Sequence, residues 1–93
     1  MIIVGKFELP IMTHQVVEIP HPAKIISVIN QRDKIVLYAE INPNSWKVSK
    51  HIGIYGTGHE LSFKDKRFIG TVSTFNGDLI WHVYDETDYG TML

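Results

Sequence analysis

A chain of 93 residues that is 44% hydrophobic can bury one core and form one domain over residues 1–93, and its lack of cysteine excludes disulfides, thiol nucleophiles and cysteine-ligated zinc. A formal net charge of −1 with a pI near 6.5 argues against non-specific nucleic-acid binding, which needs an excess of Lys and Arg. The opening Met1-Ile2-Ile3-Val4 is too short for a signal sequence and no stretch reaches bilayer-spanning length, so the expectation is a cytoplasmic protein without a membrane partner.

Helical periodicity is nearly absent, and β-branched and aromatic residues come in short runs between turn residues. Residues 2–9 form the first predicted strand, stopped by Pro10, and residues 14–19 the second, stopped by Pro20 and Pro22. Residues 24–31 and 34–41 read as a hairpin about Arg32-Asp33, with Ile35, Leu37, Ala39 and Ile41 on one face. Asn42-Pro43-Asn44-Ser45 reverses the chain into a fifth strand, 47–55, which ends at Gly56-Thr57-Gly58. Residues 60–66 are the one expected helical turn. Strands 67–75 and 78–85 flank Asn76-Gly77, a two-residue hairpin signal, and residues 86–93 have no pattern.

Seven short strands without a substantial helix imply an all-β fold, a small antiparallel sandwich or barrel. The expected core includes Ile26, Val28, Ile35, Leu37, Val72, Leu79, Trp81 and Val83.

Chemistry is harder to place. Ile54-Tyr55-Gly56-Thr57-Gly58-His59 runs from a strand into two glycines, and its N–H groups, with Thr57 and His59, could face a phosphate or carboxylate. It is neither a Walker loop nor a dinucleotide fingerprint, and a purely structural turn explains the same residues. Basic residues concentrate in the middle of the chain, with Lys47, Lys50, Lys64, Lys66 and Arg67 against Glu60 and Asp65, while the segment after Gly70 is acidic. Trp46 and Tyr84 offer rings on which a base could stack, although core packing also accounts for most aromatic residues here.

His14, His21, His51, His59 and His82 form no metal-ligand spacing, and no cofactor or metal is expected. Asp85 and Glu86 are neighbours, so they face opposite ways in a strand or stand solvated in the tail, and no serine carries an activation signature. No catalytic residue is nominated. The candidate ligand site is therefore Gly56, Thr57, Gly58, His59, Trp46, Lys47, Lys50, Arg67 and Tyr84.

In order and spacing, Phe7-Glu8-Leu9-Pro10-Ile11, Gly56-Thr57-Gly58-His59, Phe68-Ile69-Gly70-Thr71 and Trp81-His82-Val83-Tyr84 resemble a family of short tailed-phage and prophage proteins of no established activity. The resemblance implies action in the cytoplasm of an infected bacterium and supplies no catalytic residues. The leading expectation is a non-catalytic binding protein, a counter-defence protein sequestering a nucleotide or other anionic signal. The alternatives are an inhibitor that contacts a host bacterial protein and, last, a small hydrolase. Edge strands and the apolar pair Met92-Leu93 point to a homo-oligomer, a dimer, against a monomer with a frayed tail.

Overall fold

Each apolar run bounded by turn residues becomes a strand. The computed structural model describes residues 1–88, with β1 (Ile3–Leu9), β2 (His14–Pro20), β3 (Lys24–Gln31), β4 (Lys34–Ile41), β5 (Lys47–Gly56), β6 (Arg67–Thr74) and β7 (Leu79–Asp85). Neighbours pair antiparallel in two sheets, ordered β1-β4-β3 and β2-β5-β7-β6. The sheets are not closed into a barrel, so the fold is an open sandwich. Among the described residues no helix is long and apolar enough to cross a membrane.

Alternation decides which residues meet between the sheets. Ile35, Leu37, Ala39 and Ile41 of β4 face inward and pack with Leu9, Ile25, Val28, Ile52, Ile54, Val72 and Val83 in one core. Val28, Ile35, Leu37, Val72 and Val83 thus occupy their expected places, and Trp81 packs against the core while half-buried. Ile26 and Leu79 do not. The pairing of β3 with β4 slips between Ile25 and Ser27, and this bulge turns Ile26 outward. Leu79, the first residue of β7, lies at the rim. Residues 60–66 are irregular, not a helical turn.

Both predicted hairpins form, the second with shorter strands than expected, because Phe75 also takes a positive φ and leaves the ladder, so that residues 75–78 connect β6 to β7. Arg32 and Asp33 take φ of 55° and 62°, and Asn76 and Gly77 take 56° and 87°, the positive values that a primed two-residue turn requires. The Asp78 N–H closes the second turn on the Phe75 carbonyl at 3.0 Å. The two hairpins are tied together: the Asn30 amide donates to the Ser73 carbonyl at 2.6 Å, and the Phe75 N–H donates to Asp33 Oδ1 at 3.0 Å. Farther along this seam, a Cβ on Gly70 would lie 2.9 Å from Val28 Cγ1. β3 and β6 therefore meet, leaving β1 and β2 as the sheet edges away from the seam. Residues 89–93, including Met92-Leu93, lie outside the described residues.

Candidate functional site

The outward side of the four-stranded sheet carries the densest polar network. It begins with Gly53, in the middle of β5 opposite Tyr84 of β7 and His14 of β2. Gly53 has no side chain, so the carboxylate of Glu86 settles over the strand there; a Cβ at Gly53 would sit 2.7 Å from it. The Glu86 N–H donates to the His51 carbonyl at 2.7 Å, fixing the chain as it leaves β7.

Glu86, expected either to face away from Asp85 in a strand or to stand solvated in the tail, has a side chain only 2% exposed. Burying a carboxylate costs several kcal/mol unless donors replace its water. Here Tyr55 and Ser62 donate their hydroxyls to Oε2, the latter at 3.1 Å, and His14 Nδ1 stands 3.2 Å from Oε1. Burial alone pushes the carboxyl upward, but the bonds from Tyr55, Ser62 and His14, with the His14 charge, outweigh it and hold the group below the ordinary range. Conversely, burial and then the bond to Glu86 push the Tyr55 hydroxyl up, with Ser62 opposing in part.

Ser62 belongs to the segment between β5 and β6, so the network also fastens that segment across the sheet. Lys66 Nζ locks it further by donating to the carbonyls of Ser62 at 2.7 Å and Lys64 at 2.5 Å. Beside Glu86 lies an open cavity of about 140 Å³, lined by His14, Gln15, Val16, His51, Ile52 and Lys64. When Nδ1 of His14 donates to the carboxylate, its Nε2 is an acceptor in the neutral ring and a second donor in the charged one. Edge-to-face ring contacts continue across the sheet from His14 to Tyr55 (5.9 Å), Tyr55 to Tyr84 (5.9 Å) and Tyr84 to Phe68 (5.5 Å).

The glycine turn lies at the end of β5. Gly58 takes φ of +88°, the left-handed geometry its position demands. Two of the N–H groups invoked for an anion are used inside the turn: His59 N–H donates to the Gly56 carbonyl at 3.1 Å, and Gly56 N–H donates to His59 Nδ1 at 3.2 Å. Thr57 Oγ1 lies 2.8 Å from His82 Nε2, and Thr71 Oγ1 lies 3.0 Å from Nδ1 of the same ring. His82 is thereby bracketed by two hydroxyls.

Of the residues nominated from sequence, Gly56, Thr57, Gly58, His59 and Tyr84 gather at this side of the sheet. Trp46 and Lys47 lie at the far end of β5, about 30 Å away at roughly 3.3 Å per residue. Trp46 stacks on His21 at 4.3 Å and stays exposed. Lys50 is buried on the core-facing side, and Arg67 reaches Asp85 at 3.7 Å. The nine therefore do not converge on one ligand. Sequence reasoning missed Glu86 and Ser62; the available signal was Gly53, an isolated glycine inside a strand, which marks close approach of another group. Among the described residues no three His, Asp or Glu side chains are placed to hold a metal ion.

Residues 1–91 match the family described as Domain of unknown function (DUF7352). The chain belongs to the DUF7352 family. No curated protein and no solved structure matches it. Membership covers both sheets, so the Gly53–Glu86 arrangement and the glycine turn fall inside the DUF7352 domain.

Proposed function

We propose that this DUF7352 protein is a non-catalytic, phage-encoded binding protein that acts in the infected bacterium by contacting a host protein. The carrying observation is the outward face of β5, β7 and β6. Its outward positions are Lys47, at the far end of β5, and then Ser49, His51, Gly53, Tyr55, Ile80, His82, Tyr84, Phe68, Thr71 and Ser73, and the one acidic group above them, Glu86, is buried. Beside this face Phe63 is fully exposed, and Leu61, Phe68 and Val16 are about half exposed. Interface centres are depleted in charge and rich in aromatic residues. The surrounding charges Glu18, Lys64 and Arg67 form the polar rim such a surface needs.

A second reading, sequestration of a nucleotide or other anionic signal, draws on the cavity where His14, His51 and Lys64 stand together. Sites that enclose drug-sized ligands measure roughly 300–1,000 Å³. The present cavity admits an anionic group only, with the remainder of the ligand lying along the sheet.

The two readings separate experimentally. Phe63→Ser and Phe68→Ser, made together, should abolish co-purification of a defined bacterial protein while leaving the melting temperature near that of the parent. Calorimetry against linear and cyclic nucleotides should show no binding below millimolar concentration. A nucleotide bound at micromolar concentration, and weakened by Lys64→Ala, would instead establish the second reading.

A further inference from the structure

We infer that two copies of this chain pair through the free edge of β1, antiparallel about a two-fold axis at Phe7, so that Lys6 of each faces Glu8 of the other. Among the described residues β1 has a strand partner on one side only, β4, and it carries no proline that would interrupt a ladder on the other. The opposite edge of this sheet, β3, is occupied by the seam with β6.

The sequence of β1 selects the register. If the inward faces of both copies are to stay on one side, a two-fold axis normal to the sheet must pass through a residue position. An axis at Lys6 sets two lysines against each other, and one at Glu8 sets two glutamates together, each a destabilising cross-strand pair. An axis at Gly5 leaves Glu8 against Ile2. The axis at Phe7 gives two Lys6–Glu8 pairs on the outward face and one Phe7–Phe7 pair on the inward face, where Phe7 is only half-buried within its own chain.

The same register has a consequence beyond the strand. It brings Ile3, at the start of one β1, toward the Pro10-Ile11 segment that follows the other, and Ile3 and Ile11 are each about half exposed in a single chain. The ion pairs and the Phe7 pair are satisfied by one alignment. Glu8 already has Lys34 3.9 Å away in its own chain, so the second lysine would give it a cation on each side. The assembly closes: joining two β1 edges makes a six-stranded sheet whose outer strands are both β3, and both are covered by their own β6.

Sedimentation equilibrium of the full chain tests this, with thermal melting to show that each variant is folded. The parent should approach twice its 10.7 kDa chain mass in the micromolar range. Lys6→Glu and Glu8→Lys alone should each raise the dissociation constant roughly tenfold or more, because two symmetric attractions become repulsions. The double exchange K6E/E8K should restore the parent value. A parent that stays monomeric at millimolar concentration overturns the inference. So does a dimer indifferent to both single changes, or a double exchange no better than either single one.

Discussion

Tyr55→Phe isolates the bond that holds Glu86 in place. The ring remains, with its edge contacts to His14 and Tyr84, and only the hydroxyl that donates to Oε2 is lost. Ser62 and His14 still approach the carboxylate, so the charge is under-satisfied but not abandoned. A hydrogen bond to a buried charged group contributes about 1.5–3 kcal/mol. In a domain of this size each kcal/mol moves the midpoint by about 4–8 °C, so the variant should melt about 6–24 °C below the parent at neutral pH. The pH dependence is a sharper test. The Glu86 carboxyl is held below its ordinary 4.5, so its contribution is present above that value and lost as pH falls through the folded-state value. The Tyr55 hydroxyl is raised above 10.0, so its contribution is present below that value and lost as pH rises through the folded-state value. The gap between parent and variant should therefore be widest between about 4.5 and 10 and narrow on both sides. Calorimetric melts across that range measure it. A variant melting within about 1 °C of the parent, or a gap unchanged in acid, would refute the role given to the network.

Two further outcomes follow from the backbone. Gly53→Ala should cost about 3 kcal/mol in urea denaturation, because its Cβ would meet a carboxylate already held by Tyr55, Ser62 and His14. Gly58→Ala should cost only about 1 kcal/mol, since no atom lies within 4 Å of the added carbon and the positive φ is the sole penalty; equal losses at the two glycines would contradict this assignment. Phe75, half exposed, takes φ of 53°, a conformation unfavourable for a bulky residue and favourable for asparagine. Phe75→Asn should leave stability equal or raise it by up to about 1 kcal/mol, and a comparable loss would show that the ring packs more than its exposure implies.

The strands were legible because half-buried antiparallel sheets write a period of two into the sequence. Ile35, Leu37, Ala39 and Ile41 announce both strand and facing. The hairpins were legible from their turn residues, including Arg32-Asp33, which takes positive φ without a glycine because Asn30 and Asp33 brace the turn from outside. Ile26 was misplaced because a bulge shifts facing by one residue and leaves no mark in the alternation. The site was less legible than the fold. Lys50 reads as a surface cation but lies buried on the core-facing side, and Trp46 is near Gly56 in sequence but a strand length away in space. Glu86 was invisible for a different reason. Its burial depends on Gly53, His14 and Ser62, which converge only once β2, β5 and β7 are paired and the segment after β5 has folded back.

The two outer faces of the sandwich provide an internal comparison. The three-stranded sheet turns Lys6, Glu8, Lys24, Lys34 and Glu40 outward, interleaved with Val4, Ile26, Ile29, Val36 and Tyr38, and Lys24 lies directly opposite Glu40 across the ladder. β5, β7 and β6 come from the same chain with the same overall composition, yet apart from Lys47 at the far end of β5 their outward positions hold tyrosine, phenylalanine, isoleucine, histidine, serine, threonine and a glycine. Low charge content does not explain the difference, because the charges are present, mostly on the other face and, on this one, at its margin in Glu18 and Lys47. Nor does packing within the chain require it, since Phe68 and Ile80 remain exposed there. Tyr55 and the buried Glu86 stabilise the fold itself and at the same time fix the neighbouring segment over this face. That pre-organisation, with Phe63, Phe68 and Ile80 left exposed beside it, is what supports the proposed contact with another protein.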